Sequence, residues 1–209
     1  RCNTPVDAIV KPDYTLHLTP FSDMYLSVMF GNSSPTQIRA KAGQQYDIPC
    51  PYNQMDDTAV LVYGASRIQS MGDVSTCYIY DNDFSKATRL KKLIIGNETE
   101  GYSNNFLTNL VIGNNKLLEL LDVRNTPNLV TSLDLSKCGS LKKLYASGSG
   151  LTGVTFANGG KIDTAILPET LTSIIMRKPC VSFSPLPLSR RLRMQEASSQ
   201  SCLPLPLRS

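Results

Sequence analysis

Residues 83–97 read DFSKATRLKKLIIGN, and residues 134–148 read DLSKCGSLKKLYASG. Seven of these fifteen positions are identical at a fixed offset of 51 residues. The apolar positions also match: Phe84 with Leu135, Leu90 with Leu141, Leu93 with Leu144, Ile95 with Ala146. A chain that reuses one short pattern is the signature of a solenoid. Each unit is too small to bury its own apolar edge, so stacked neighbours supply the core.

A finer period lies between the two copies. Leu107, Leu110 and Ile112 recur 23 residues later as Val130, Leu133 and Leu135. They recur 21 residues further on as Leu151, Val154 and Phe156, and 20 further as Leu171, Ile174 and Met176. The spacing is L-x-x-L-x-L, with Asn115, Cys138 or Gly159 at the ninth position. This is the leucine-rich-repeat strand signature at its usual repeat length. Side chains alternate along a strand, so the fourth and sixth positions point together into the coil.

A second stripe accompanies the first. Leu118, Leu121 and Val123 align with Leu141, Leu144 and Ala146, then with Ile162, Ala165 and Leu167. Each coil of roughly 22 residues therefore has two short apolar segments about 11 apart, within the 20–29 residues of a leucine-rich repeat. No window carries a helical i, i+3, i+4, i+7 stripe over three turns. The expected fold is mainly β: a small N-terminal β-sheet or sandwich module over 1–57, a leucine-rich-repeat β-solenoid over 58–176, and a disordered tail over 177–209.

In the N-terminal part, YTLHLT (14–19), MYLSVMF (24–30) and TQIRAK (36–41) read as strands. Gly31 to Pro35 and Lys41-Ala42-Gly43 supply the turns. This module is placed to cap the solenoid's open end, because exposed strand edges need cover. Segment 58–82 reads as a degenerate first coil with strands AVLVYG (59–64) and CYIYD (77–81), and 98–106 as a loop insertion between coils.

The last 33 residues break the period: they hold five Pro, seven Ser and six Leu. A step of 20 from Ile162, Ala165 and Leu167 lands on Ser182, Pro185 and Pro187, and proline cannot donate to a ladder. The expectation is a low-complexity stretch produced by a shifted reading frame near Arg177, the other reading being a true disordered tail.

Composition narrows the function. The net charge is +4, but residues 1–176 hold 15 Lys+Arg against 16 Asp+Glu. The excess lies in 177–209, with six basic residues and one acid, Glu196. The repeat part is near neutral, so no nucleic-acid partner is expected. No apolar run approaches 18 residues, so no membrane span is expected. The first residue is Arg1, which reads as a fragment or a processed product. The six cysteines, at 2, 50, 77, 138, 180 and 202, form no C-x-x-C and read as reduced thiols, with Cys138 buried at the ladder position.

Catalysis finds little footing. The one histidine, His17, sits in an alternating strand segment with no nucleophile pattern around it. No phosphate loop, nucleophile elbow or H-E-x-x-H is present. Asp56-Asp57 and Asp81/Asp83 lack the glycine and distal glutamate of a calcium loop and read as turn formers. Asn32 and Asn97 sit in glycosylation sequons, and Lys91-Lys92 recurs as Lys142-Lys143 at a solvated edge. No enzyme activity, cofactor or metal is expected.

What the coils offer is an outward column at the second strand position: Thr108, Thr131, Thr152 and Thr172. Its neighbours Asn109, Ser132, Gly153 and Ser173 are small. The column reads either as a structural threonine ladder suited to stacked strands or as a polar contact face. The candidate interaction face is Thr108, Asn109, Thr131, Ser132, Asp134, Thr152, Thr155 and Thr172.

The run LVTSLDLSKCGSLKKLYASGSGLTGV (129–154) resembles the LDLS-type leucine-rich repeats of bacterial surface and phage-associated proteins. Three longer stretches are MDDTAVLVYGASRIQSMGDVSTCYIYDNDFSKATRLKKLIIGN (55–97), GYSNNFLTNLVIGNNKLLELLDVRNTPNL (101–129) and FANGGKIDTAILPETLTSIIMR (156–177). They resemble leucine-rich-repeat structural proteins encoded among tail genes in phages and prophages of gut bacteria. The resemblance implies a virion- or tail-associated structural or host-contact protein, and the reduced cysteines point to synthesis in the bacterial cytoplasm. It carries over no catalytic residue. The implied partners are other virion or tail proteins or a bacterial surface component. Family members continue with further repeats beyond the segment matching Met176, where this chain departs from them. The alternative is a secreted leucine-rich-repeat adhesin at the bacterial cell surface.

Overall fold

The computed structural model describes residues 15–30, 34–49, 60–72, 81–98, 103–105, 107–176 and 193–194. Several readings lie outside the described residues: Asp56-Asp57, the strand at 77–80, most of the Gly31–Pro35 turn, five of the six cysteines and nearly all of the tail.

The fold is nearly all β, a solenoid of about four turns with an extra small sheet. The N-terminal module is built from β1 (Thr15–Pro20), β2 (Met24–Phe30), β3 (Thr36–Ala40) and β4 (Tyr46–Pro49). The first three are the strands that alternation in the sequence indicates, and β4 was not anticipated. β2 alternates Met24, Leu26, Val28 and Phe30 inward, all buried, with Tyr25, Ser27 and Met29 on its other side.

β5 (Val60–Tyr63) departs from the sequence reading. It is a strand, but it pairs antiparallel with β2, giving the sheet β3-β2-β5, and is not the start of a coil. The solenoid begins with β6 (Ile68–Met71), which follows a 3-10 turn at Ala65–Arg67. Apolar residues alone do not tell a cap strand from a coil strand. The difference lies in pairing direction, which short local patterns do not encode.

From β6 the chain winds through β7 (Asp81–Asp83), β8 (Lys92–Ile94), β9 (Asn109–Val111), β10 (Leu120–Asp122), β11 (Ser132–Leu135), β12 (Lys143–Tyr145), β13 (Gly153–Phe156), β14 (Thr164–Ile166) and β15 (Ser173–Ile175). Even-numbered strands stack in parallel on one face and odd-numbered strands on the other. The register follows the second stripe of the sequence: Leu93 beside Leu121, Leu121 beside Leu144, Leu144 beside Ala165. On the other face Leu133 lies beside Val154, and Val154 beside Ile174.

Between the faces runs the core. Leu90, Leu107, Leu118, Leu121, Val123, Leu129, Leu135, Leu144, Ala146 and Leu151 are completely buried. The 51-residue repeat spans two coils, because β7 and β11 are separated by β9. The loop between β8 and β9 lengthens the first of these coils, so Lys92 pairs with Leu120 at an offset of 28.

Val130 corrects the sequence register. It is 66% exposed, while Leu129 is completely buried in the slot assigned to Val130. Leu129 and Leu133 are separated by three residues, where Leu107 and Leu110 are separated by two. The chain absorbs the extra residue in a pinch: the Val130 N–H donates to the Asn128 carbonyl at 2.8 Å and the Thr131 N–H to Leu129 at 3.1 Å.

The module joins the first solenoid strand edge to edge. β1 pairs antiparallel with β6, with Leu18 beside Met71. One continuous sheet therefore runs β14-β12-β10-β8-β6-β1-β4. At the other end, two residues of the stretch expected to be disordered form a strand. Arg193–Met194 (β16) pairs parallel with β15, Ser173 beside Arg193, 20 residues on.

Candidate interaction face

Three of the four threonines form a backbone ladder. The Thr152 N–H donates to the Thr131 carbonyl at 3.0 Å, and the Thr172 N–H to the Thr152 carbonyl at 2.9 Å. The Thr172 hydroxyl also donates to the Thr152 carbonyl, at 2.9 Å. Thr131 and Thr152 are half-buried and Thr172 is exposed. Part of this column is thus engaged in stacking the coils.

Outward of it, Ser132, Gly153 and Ser173 lie in register. A Cβ on Gly153 would stand 2.6 Å from the Ser132 Oγ and 2.7 Å from the Ser173 Oγ. The two hydroxyls converge over the buried Gly153, and a side chain there would have to turn them aside. The next register row is Asp134, Thr155 and Ile175.

Asp134 has a local task. Its Oδ1 accepts the Ser136 N–H at 2.8 Å, and Asp83 does the same for Ser85 at 2.8 Å. The shared D-x-S of the two repeat copies is therefore an Asx turn that closes the strand. The Ser136 N–H holds the Asp134 carboxyl below its ordinary value, and the Ser85 side chain and N–H do so for Asp83.

The structure splits the eight candidate residues. Thr131, Ser132, Asp134, Thr152, Thr155 and Thr172 share the β11-β13-β15-β16 sheet. Thr108 and Asn109 belong with β9 to a separate two-stranded sheet with β7. The break falls at the Val130 pinch, which disturbs the ladder between β9 and β11.

On the opposite face the strongest cluster is ionic. Asp122, buried, accepts from Arg124 Nε at 3.0 Å and from Nη2 at 2.5 Å. Arg124 also pairs with Glu98 and lies over the Tyr145 ring at 5.0 Å. The Asp122 carboxylate raises the Arg124 guanidinium's pKa. All parts are mutually satisfied, so the cluster fastens one coil to the next. The lysine pairs are an edge: Lys142 Nζ reaches Glu119 at 3.0 Å, and Lys92 and Lys143 are exposed.

His17 pairs across β1 and β4, its Nδ1 2.7 Å from Asp47 Oδ1. That contact, reinforced by Gln45, lowers the Asp47 carboxyl. Cys138 is a buried free thiol, pushed up to about 11 by burial. It stacks beside Asn115, whose Nδ2 donates to the Phe84 carbonyl at 3.1 Å and to that of Ile112. Among the described residues no group of three or more His, Cys, Asp or Glu is placed to hold a metal ion. No helix among them is long and apolar enough to cross a membrane.

One set of surface residues escaped the sequence reading. Tyr25, Arg39 and Tyr63 share the outer side of β3-β2-β5. The alternation in MYLSVMF and TQIRAK carries that signal, but the local pattern does not show that 60–63 pairs beside them. No protein-family model matches the chain, and no match was found among curated proteins or solved structures.

Proposed function

We propose that this chain is a non-enzymatic structural or host-contact protein of a phage or prophage tail, with its leucine-rich-repeat solenoid as interaction surface. The observation that carries the reading is the stack of coils in parallel register. It turns short, individually unstable units into one continuous stacked surface. The outer odd-strand face supports it: a neutral row of small side chains, with Ser132 exposed and Ser173 half-buried on either side of Gly153. The resemblance of 55–97, 101–129 and 156–177 to tail-encoded repeat proteins supplies the setting.

Mass spectrometry of purified, induced phage particles tests the proposal. Peptides from 58–176 at stoichiometric levels are the expected result. Absence from particles, with the same peptides in the cell-surface fraction, overturns it in favour of a secreted adhesin.

A further inference from the structure

The outer side of the cap sheet differs in kind from the solenoid faces. Tyr25 faces Arg39 across β2 and β3, and Ser27 lies between Gln37 and Tyr63. Tyr63 is thus a diagonal neighbour of Tyr25 on the same side, within reach at about 7 Å. Tyr25 is 67% exposed and Tyr63 51%, the two most exposed aromatic rings among the described residues.

Arg39 is pre-positioned between strand and solvent. Its Nε donates to the Tyr25 hydroxyl at 2.8 Å, and its guanidinium lies over the Tyr25 ring at 5.3 Å. Nε is therefore committed, and both Nη groups are left for an external acceptor. Among the described residues no carboxylate reaches them. The acid of the neighbouring turn, Asp23, is held by Lys41 Nζ at 2.8 Å and by the Ala42 N–H at 2.9 Å.

The geometry points to a docking surface for a protein partner that presents a carboxylate side chain to Arg39, with Tyr25 and Tyr63 as the apolar anchors. It rests on the reading of this chain as a contact protein, but names a different face from the threonine column. Composition favours protein as the occupant. Tyr25, Tyr63, Met29 and Arg39 give it the bias of an interface centre, and the ion pair Asp23–Lys41, one same-side step beyond Tyr25 and Arg39, stands at its rim. One side of the Tyr25 ring is already covered by guanidinium, so it offers a poor platform for stacking sugar rings.

Charge fixes the rest. A guanidinium taken out of water needs an acid, and its planar fork suits a carboxylate. A second copy of the same face brings another Arg39 and, as its acid among the described residues, Asp23, which Lys41 and the Ala42 N–H already hold; this disfavours self-association through it.

The test is biolayer interferometry of the full chain on an immobilised glutamate–tyrosine copolymer, with polygalacturonate as the acidic-sugar comparison. The copolymer should bind. Arg39→Gln and Tyr63→Ala should each weaken it at least tenfold. Arg39→Lys, which keeps the charge and loses the fork, should recover less than half of that loss. Val130→Ala, exposed on the solenoid and outside the candidate face, should change binding less than twofold. Unchanged melting of the exposed-site variants shows that folding is not what was lost. No copolymer binding, or equal binding by Arg39→Gln, overturns the proposal. Polygalacturonate binding as tightly as the copolymer also overturns it, assigning the face to an acidic polysaccharide. These outcomes are independent of whether the chain is found in phage particles.

Discussion

Leu129 and Val130 are adjacent apolar residues with opposite fates, and nothing in their side chains says which one is inside. The L-x-x-L-x-L template selects Val130, and the structure buries Leu129. Leu129→Asp should place an unpaired charge in the stacked core and unfold the chain, a cost comparable with a whole stability of about 5–15 kcal/mol. Val130→Asp should shift stability by less than about 0.5 kcal/mol. Thermal melting of the pair decides the register, and a reversed ranking restores the sequence's version. Asp134 permits a finer test. Asp134→Ala should cost about 1 kcal/mol through loss of the Ser136 contact. Asp134→Asn should recover most of that, because an amide oxygen also accepts in an Asx turn.

At the scale of the strand and its neighbours, the repeat was largely legible. The second stripe was read in its observed register, because nothing is inserted between Leu118, Leu121 and Val123 or their later copies. β1, β2 and β3 were equally plain, since alternation over five or more residues has one reading. What escaped was partner choice: β5 in the cap sheet, β4 beside β1, and the splitting of Thr108 and Asn109 from the other candidates. Each depends on contacts far apart in sequence. The Arg124 cluster was invisible for the same reason, because Glu98 and Tyr145 lie one coil to either side of it. Arg124→Ala should leave Asp122 buried without its cation, costing about 3 kcal/mol or more in denaturant unfolding. Lys142→Ala, at the exposed Glu119 pair, should cost under about 1 kcal/mol, and less in high salt. Equal effects would show that the buried cluster adds nothing to coil stacking.

Over the whole molecule, the lowered carboxyls act together. Asp47, Asp83, Glu119 and Asp134 all titrate below their ordinary values in the folded chain. Their contribution is complete above the unfolded values, roughly pH 4, and is lost as pH falls through the lower folded values. Melting temperature should therefore be flat on this account above about pH 5 and decline below about pH 4. The continuous sheet from β4 to β14 makes a second claim. Repeat arrays often melt piecewise, because each unit touches only its neighbours. Here the cap and the first coil are joined at Gly72, which has φ 89 and whose N–H donates to the His17 carbonyl at 3.0 Å. A Cβ there would stand 1.8 Å from the Ile94 carbonyl oxygen on β8, so the β1–β6–β8 junction closes only around glycine. Gly72→Ala combines a left-handed backbone with a clash against main chain, and should cost more than about 2 kcal/mol. If cap and solenoid unfold as one body, circular dichroism and tyrosine fluorescence should give coincident transitions, both moved down by Gly72→Ala. The signal sums over nine tyrosines, so an early fluorescence transition that leaves the strand signal intact and disappears in Tyr25→Phe/Tyr63→Phe would mean that the cap opens by itself. It would then be a detachable end piece, and the solenoid would have to hold its first coil without it.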